Sequence, residues 1–111
     1  MSKIIAIMTF TGKSGNEYAF NTYDKNTTFN EVSAVYVFVK RYTSGDQHYQ
    51  QALYIGETNE LGTRISNHET WPCVNKKGCT HIGIMLMPEQ EDRLDAETDL
   101  RDKYRTPCND C

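Results

Sequence analysis

Length, composition and charge exclude several classes of protein before any motif is considered. The chain has 111 residues, of which 38% are hydrophobic, including seven tyrosines and four phenylalanines. This is the composition of one ordinary globular domain, which we expect to span residues 1–111, and not of a disordered chain. No apolar run approaches the ~20 residues of a membrane-spanning helix, and the apolar start is too short for a secretory signal. We therefore expect a cytoplasmic protein that does not contact membranes.

The net charge of −3 argues against a large electrostatic footprint on nucleic acid. The acidity is concentrated near the end of the chain, because residues 89–111 hold eight acidic and four basic side chains. Residues 1–88 hold seven acidic and eight basic side chains and are nearly neutral. A surface built from this part can meet a phosphodiester through a few contacts, with weak and salt-sensitive non-specific affinity.

The chain begins with a predicted β-hairpin. Residues 4–10 and 17–23 are rich in apolar and aromatic residues and are separated by a turn with two glycines. We assign residues 1–31 to an N-terminal hairpin extension that extends or covers the sheet of a core spanning residues 32–109.

A second hairpin follows. Two apolar runs, residues 34–39 and 52–56, flank a polar segment over residues 40–51 that we interpret as a loop. The runs are short and rich in β-branched and aromatic residues, and the loop contains the turn signal Ser44-Gly45-Asp46. Each strand carries a tyrosine, Tyr36 in the first and Tyr54 in the second, and a suitable register would bring both onto one face.

A helix is predicted directly after the second run, with Thr58 or Asn59 as its N-cap. Arg64 and His68 are four residues apart and would lie on one face of this helix. Strand, strand and helix would thus bring together two phenols, a guanidinium and an imidazole.

The rest of the chain predicts a short helical turn capped by Thr70, a third core strand over residues 81–87 and a last helix over residues 89–104. At helical spacing one face of the last helix would carry Leu94, Glu97, Leu100, Arg101 and Tyr104. A carboxylate on a face turned toward a sheet is costly unless it is paired or bound to a cation.

This arrangement resembles the GIY-YIG nuclease family over residues 32–109. The matching residues follow the family's order: Ala34-Val35-Tyr36, Tyr54-Ile55-Gly56, Arg64, His68, Glu97 and Asn109. The resemblance implies an α+β fold with a small, mainly antiparallel three-stranded core sheet flanked by helices. It also implies a DNA endonuclease that uses one divalent ion, Mg²⁺ or Mn²⁺.

The resemblance assigns five catalytic residues, which we expect to gather around one hollow. Tyr36 would be the base that deprotonates the attacking water, helped by a nearby cation, and Tyr54 would hydrogen-bond the phosphate or the water. Arg64 would clamp the phosphoryl oxygens, and His68 would orient Tyr36 or relay its proton. Glu97 would hold the metal ion through a single carboxylate.

Structural interpretations of the same residues stay open. Tyr36 can be an ordinary half-buried strand tyrosine, and Tyr54 can simply pack against the helix. Arg64 can be a solvated helix residue paired with Glu60, and His68 a helix-end histidine favoured by the dipole.

Two further residues are assigned supporting roles. Gly56 would allow close passage of the strand end, and Asn109 would tie the chain end back near the site. The sequence departs from the family pattern at Ala34, where the family has glycine, and at Glu57, a carboxylate that would repel substrate unless it turns away or helps to hold the metal.

The predicted partner is DNA. Candidate contacts outside the catalytic set are basic or aromatic: Arg41, His48, Tyr49, Lys76 and Lys77. We expect tight binding to need a homodimer or a separate DNA-recognition protein.

The four cysteines offer an alternative kind of site. In a cytoplasmic protein they are expected to be reduced thiols. Four soft ligands, Cys73, Cys79, Cys108 and Cys111, can also close a structural zinc site, although their spacing is not that of a zinc knuckle.

Two functional classes follow from the sequence. The first is the metal-dependent endonuclease. The second is a non-catalytic nucleic-acid or protein-binding module with the same fold.

Overall fold

The computed structural model describes residues 3–109, in which the chain forms five strands and three helices. In chain order these are β1 (Ala6–Thr11), β2 (Glu17–Asp24), β3 (Ala34–Ser44), β4 (Gln47–Thr58), α1 (Leu61–Ser66), α2 (Trp71–Lys76), β5 (His81–Leu86) and α3 (Gln90–Lys103).

The fold is α+β, and its five strands form one antiparallel sheet in the order β1-β2-β5-β3-β4. The expected core of three strands is therefore only part of the sheet. The N-terminal hairpin continues that sheet, because β2 pairs with β5 from Asn21 opposite Ile84 to Asp24 opposite His81. β5 is buried at Ile82 and Ile84, so a partner strand on each side satisfies backbone groups that water does not reach.

Helices cover both faces of the sheet. Successive side chains of β3 point to opposite faces, so that Tyr36 and Phe38 pack with α1 and α2 while Val35 and Val37 pack with α3. We call these the α1–α2 face and the α3 face. No helix within residues 3–109 is long and apolar enough to cross a membrane.

The interpretation of residues 40–51 as a loop is wrong. β3 and β4 continue through this segment, with Tyr42 opposite Tyr49 and Thr43 opposite His48, and they meet in a two-residue turn. Gly45 has a φ of 62° at the first position of that turn, a conformation that glycine adopts without steric cost. Polar residues hid the strand pattern because this ribbon is not buried.

The helices differ from expectation at their ends. α1 has Glu60 at its N-cap without a side-chain cap, and it ends at Ser66, so His68 lies beyond the helix and not on it. α2 begins after Thr70 as predicted, but the Thr70 side chain makes no capping hydrogen bond. In α3 the predicted buried face is wrong at Leu94, which is 44% exposed, because the residues that contact the sheet are Ala96, Leu100 and Arg93.

A disulfide joins Cys73 in α2 to Cys108, with the Cα atoms 5.8 Å apart. The expectation of four reduced thiols is therefore wrong for this pair. The bond also removes two of the four ligands from the zinc alternative. Cys79 is a buried free thiol, and Cys111 lies outside the described residues.

Candidate active site

The site forms where β3 and β4 run side by side. Tyr36 lies opposite Gly56 in the register, and its phenol occupies the space above that glycine. A Cβ atom at Gly56 would lie 2.6 Å from both Cζ and Oη of Tyr36 and 3.0 Å from the Tyr54 ring. Glycine is thus needed at this position because the phenol approaches the backbone too closely for any side chain.

Tyr36 is buried, at 1% exposure, and its hydroxyl is 2.8 Å from Nε2 of His68. The other ring nitrogen, Nδ1, accepts a hydrogen bond from the backbone N–H of Thr70 at 3.1 Å. A neutral imidazole that accepts at Nδ1 carries its proton on Nε2. We therefore assign Nε2–H of His68 as the donor and the oxygen of Tyr36 as the acceptor.

Burial keeps this pair uncharged. Desolvation raises the pKa of Tyr36 above its ordinary value, and the neighbouring Tyr54 adds to the increase, while the Arg64 guanidinium opposes it. The side chain of His68 is fully buried, and burial together with the positive charge of Arg64 lowers its pKa to about 4. At neutral pH the pair is a phenol and a neutral imidazole.

Arg64 lies beside this pair at the end of α1, and its charge and hydrogen bonding act on the Tyr36 phenol. Its strongest partner is Glu69, which accepts from Nη1 at 2.7 Å and from Nη2 at 3.1 Å. This two-pronged hydrogen bond lowers the pKa of Glu69 to about 2. Arg64 therefore pairs with Glu69, five residues after it, and not with Glu60, the partner expected in the structural interpretation.

Tyr54 completes the cluster and opens it to solvent. Its ring stacks on Tyr36, with centroids 6.1 Å apart at 19°, and meets the His68 ring edge-on at 4.7 Å. Tyr54 is partly exposed and lines a cleft with Glu69, Thr70, Asn109 and the disulfide. A molecule in this cleft would meet Tyr54 and Glu69, the partner of Arg64, before it reached the buried Tyr36.

Glu97 is not part of this cluster. It lies on α3, which packs on the opposite face of the sheet, so the expectation of one hollow for all five residues is not met. Its neighbours are Arg101 and the backbone of Glu57, and burial raises its pKa, with the Glu57 charge adding to the increase. Since Glu57 follows Gly56 on the edge strand β4, Glu97 and Tyr36 border the same short stretch of backbone from opposite faces.

Glu57 turns away from the cluster. Its carboxylate is 2.9 Å from Nε of Arg93, which is 4% exposed on the α3 face. Nη1 of Arg93 donates to the carbonyls of Met87 and Pro88 at the start of α3. The carboxylate that departs from the family pattern is therefore paired, and the repulsion expected from it is largely neutralised.

Asn109 closes the outer edge of β4. Its side-chain oxygen accepts from the N–H of Ile55 at 2.8 Å, and its Nδ2 donates to the Ile55 carbonyl at 3.0 Å. The N–H of Cys108 donates to the Leu53 carbonyl at 2.9 Å. The chain end thus pairs with the edge strand next to Gly56, and the Cys73–Cys108 disulfide anchors it to α2.

The predicted nucleic-acid contacts lie on the β3–β4 ribbon and at the end of α2. Arg41, His48 and Tyr49 are on the β3–β4 ribbon, where the last two are exposed. Lys76 and Lys77 are exposed at the C-terminal end of α2.

Sequence reasoning missed Glu69, Arg93 and the disulfide. Glu69 directly follows a candidate catalytic histidine and is the acidic residue closest in sequence to it, which is a weak signal. A buried arginine on an acidic helix has no sequence signal of its own. The disulfide links residues 35 positions apart, and spacing alone does not reveal such a pairing.

No group of three or more histidine, cysteine or acidic side chains that could hold a metal ion occurs within residues 3–109. A site with one protein carboxylate and several waters, which Mg²⁺ accepts, would not form such a group. Comparisons with protein-family models, with curated proteins and with solved structures found no match to this chain. Its function is therefore argued from its residues and their geometry.

Proposed function

We propose that the protein is an endonuclease of the GIY-YIG type, which hydrolyses phosphodiester bonds of DNA at the cluster of Tyr36, Tyr54, Arg64 and His68. The observation that carries the proposal is the contact of these four side chains beside an open cleft. The same four residues carry the family resemblance, although they come from two strands, a helix and the loop after it.

Arg64 would bind the scissile phosphate. A guanidinium forms two parallel hydrogen bonds with either a carboxylate or a phosphate. Glu69 is 72% exposed, so its carboxylate can swing into water when a phosphodiester takes its place. In the transition state the negative charge on the phosphoryl oxygens grows, and a fixed cation next to them lowers the barrier.

Tyr36 would accept the proton from the attacking water in its phenolate form. The water oxygen bonds to phosphorus, its proton passes to the phenolate, and the bond from phosphorus to the leaving oxygen breaks. The leaving oxygen takes a proton from solvent, and the Tyr36 phenol returns its proton to solvent before the next turnover. Nε2–H of His68 and the Arg64 guanidinium both stabilise a negative oxygen on Tyr36. Because burial raises the pKa of Tyr36, the phenolate is scarce at neutral pH, and the rate should rise with pH above neutrality.

Glu97 would hold the divalent ion. Its half-buried carboxylate has a raised pKa, and a second carboxylate, Glu57, lies nearby, so a cation at this place relieves both the desolvation and the repulsion. One carboxylate suits a single hydrated Mg²⁺ or Mn²⁺ ion. Such an ion supplies Lewis-acid stabilisation of the phosphate. Glu97 and Tyr36 border the same stretch of the edge strand β4 from opposite faces, so a phosphate that contacts both would lie at this edge beside the Asn109 side chain, which is bonded to Ile55.

The test is nicking of supercoiled plasmid in Mg²⁺ or Mn²⁺. Tyr36→Phe, Arg64→Ala and Glu97→Gln should each lower the rate at least about 100-fold. Glu91→Gln, an exposed carboxylate in the first turn of the same helix, should leave the rate unchanged. Equal traces of nicking in all proteins would indicate contamination and refute the nuclease.

One observation favours the second functional class. Glu97 lies across the sheet from Tyr36, and Arg64 is held by Glu69. A non-catalytic module that binds nucleic acid or protein would tolerate both features. Isothermal titration with Mn²⁺ separates the two readings without an activity assay, because only the nuclease needs an ion-binding site that Glu97→Gln abolishes.

A further inference from the structure

The β3–β4 hairpin extends well beyond the sheet. β5 pairs with β3 only from Ala34 to Val39, whereas β3 and β4 stay paired with each other out to Ser44 and Gln47. Residues 40–51 thus form a two-stranded ribbon, which we call the arm. Its five residues per strand beyond the sheet correspond to a projection of about 17 Å.

An exposed pair of aromatic rings stands on the arm. Tyr42 and Tyr49 are directly opposite each other, their centroids are 5.2 Å apart and their planes differ by 19°. Both remain largely exposed, at 42% and 45%. Tyr42 is an even number of residues from Tyr36 along β3, so the pair lies on the same face of the sheet as the candidate active site.

The arm carries more basic than acidic side chains. Lys40 and Arg41 are basic, and Asp46 is its one acidic residue. Lys40 lies on the same face as the rings, whereas Arg41 lies on the other face of the ribbon. Nζ of Lys40 is 5.3 Å from the centroid of Tyr42, and its aliphatic chain packs on Gly78. This contact places the base of the arm beside the end of α2, where two more lysines precede Gly78, and residues 70–87 contain no acidic side chain. The arm side is therefore basic although the whole chain is acidic.

We propose that the arm is a second binding element for double-stranded DNA and lies in the major groove of the duplex whose backbone is bound at the active site. The inference rests on the proposed function for the identity of the substrate. A two-stranded ribbon fits the major groove of B-form DNA, whereas the major groove of an A-form RNA duplex is too narrow. The basic side chains would contact phosphates, and the exposed tyrosines would contact base edges and sugars in the groove.

The geometry sets the length of duplex that the arm requires. Tyr36 and Tyr42 are six residues apart on one strand, which is about 20 Å at the rise of a β-strand. At 3.4 Å per base pair this is about six base pairs of DNA. A duplex that extends less than about six base pairs beyond the bound phosphate would end before it reached the tyrosine pair.

The experiment measures binding without cleavage, by fluorescence anisotropy in EDTA with labelled 20-base-pair DNA. We expect Tyr42→Ala with Tyr49→Ala to weaken binding about 10-fold or more, because truncating a tyrosine at the centre of an interface commonly costs more than about 1 kcal/mol. Arg41→Gln, which leaves the rings in place, should weaken it severalfold and reduce the salt slope by about one. Arg105→Gln, an exposed arginine outside the arm, is the matched control and should bind as the wild type does. Circular dichroism verifies that each variant is folded.

Several results would overturn the proposal: wild-type affinity in both arm variants, an equal loss in Arg105→Gln, or the same arm dependence with single-stranded DNA or duplex RNA. A second test uses labelled duplexes that contain a nick site mapped in the plasmid assay. The duplex is shortened step by step on one side of that site. Wild-type protein should fall to the affinity of the variant with Tyr42→Ala and Tyr49→Ala when fewer than about six base pairs remain, and an unchanged difference would refute the spacing. Arm-dependent binding without nicking would disprove the nuclease and keep the arm, whereas nicking that is insensitive to the arm variants would do the reverse.

Discussion

Acid should lower the free energy of unfolding of this protein, in part because it protonates His68. His68 has a fully buried side chain, and its Nδ1 accepts the Thr70 N–H at 3.1 Å. Protonation of Nδ1 would place its N–H against the N–H of Thr70, and it would place a positive charge beside Arg64. The pKa of His68 is accordingly lowered to about 4, against about 6.5 in the unfolded chain.

The sign and size follow from linkage. Between pH 4 and pH 6.5 the unfolded chain binds more protons at this residue than the folded chain, so the free energy of unfolding falls as the pH falls. The full contribution of His68 is present above pH 6.5 and amounts to about 3 kcal/mol for this shift. About 2 kcal/mol of it is lost between pH 7 and pH 5, and most of the remainder by pH 4.

The measurement is urea unfolding at pH 7, 5 and 4, followed by far-ultraviolet circular dichroism. Other groups also lose stability in acid, among them Glu69, whose pKa is lowered to about 2 mainly by its hydrogen bond to Arg64. The informative quantity is therefore the difference between the wild type and His68→Gln. The variant should be less stable at pH 7 and should lose about 2 kcal/mol less between pH 7 and pH 5.

The control is His48→Gln, which replaces an exposed histidine of the arm outside the buried cluster, and its loss of free energy between pH 7 and pH 5 is measured beside those of the wild type and His68→Gln. If His68→Gln and the wild type lose the same free energy between pH 7 and pH 5, His68 is not a buried neutral imidazole. The assignment of its Nε2–H as the donor to the Tyr36 hydroxyl would then be wrong.

Three further predictions concern the frame of the site. Cys73→Ser with Cys108→Ser should lower the free energy of unfolding by about 4 kcal/mol, the loop entropy for a separation of 35 residues. In urea unfolding, reductant should lower the free energy of unfolding of the wild type to that of the variant. A wild-type value that reductant does not change would contradict the disulfide. Gly56→Ala should displace the Tyr36 ring and cost about 1–3 kcal/mol, visible as a lower Tm and a shifted tyrosine resonance, whereas an unchanged spectrum would mean that the ring does not lie over the glycine. Asn109→Ala should leave two backbone groups of the β4 edge without partners, at about 1–3 kcal/mol, and amide exchange should accelerate there and not in β1.

The sequence alone predicted the five strands and α3, but it assigned the outer parts of β3 and β4, within residues 40–51, to a loop. Apolar runs of β-branched and aromatic residues placed the strands of the sheet, and the end-to-end limits of α3 were correct to within one residue. Ser44-Gly45-Asp46 indicated the hairpin turn. These features depend on residues that are neighbours along the chain, and backbone preferences and burial periodicity report such neighbours directly.

Contacts between distant residues were decided only by the tertiary structure. Arg64 pairs with Glu69 and not with Glu60, because α1 ends at Ser66 and the chain turns back over its own last turn. Glu97 was placed correctly on its helix, yet that helix packs on the face of the sheet away from Tyr36.

The physical reason is that helical or strand periodicity tells which residues share a face but not which other element covers that face. The covering element is decided only when the whole domain folds, because each apolar face is then buried against an element that the connecting loops allow it to reach.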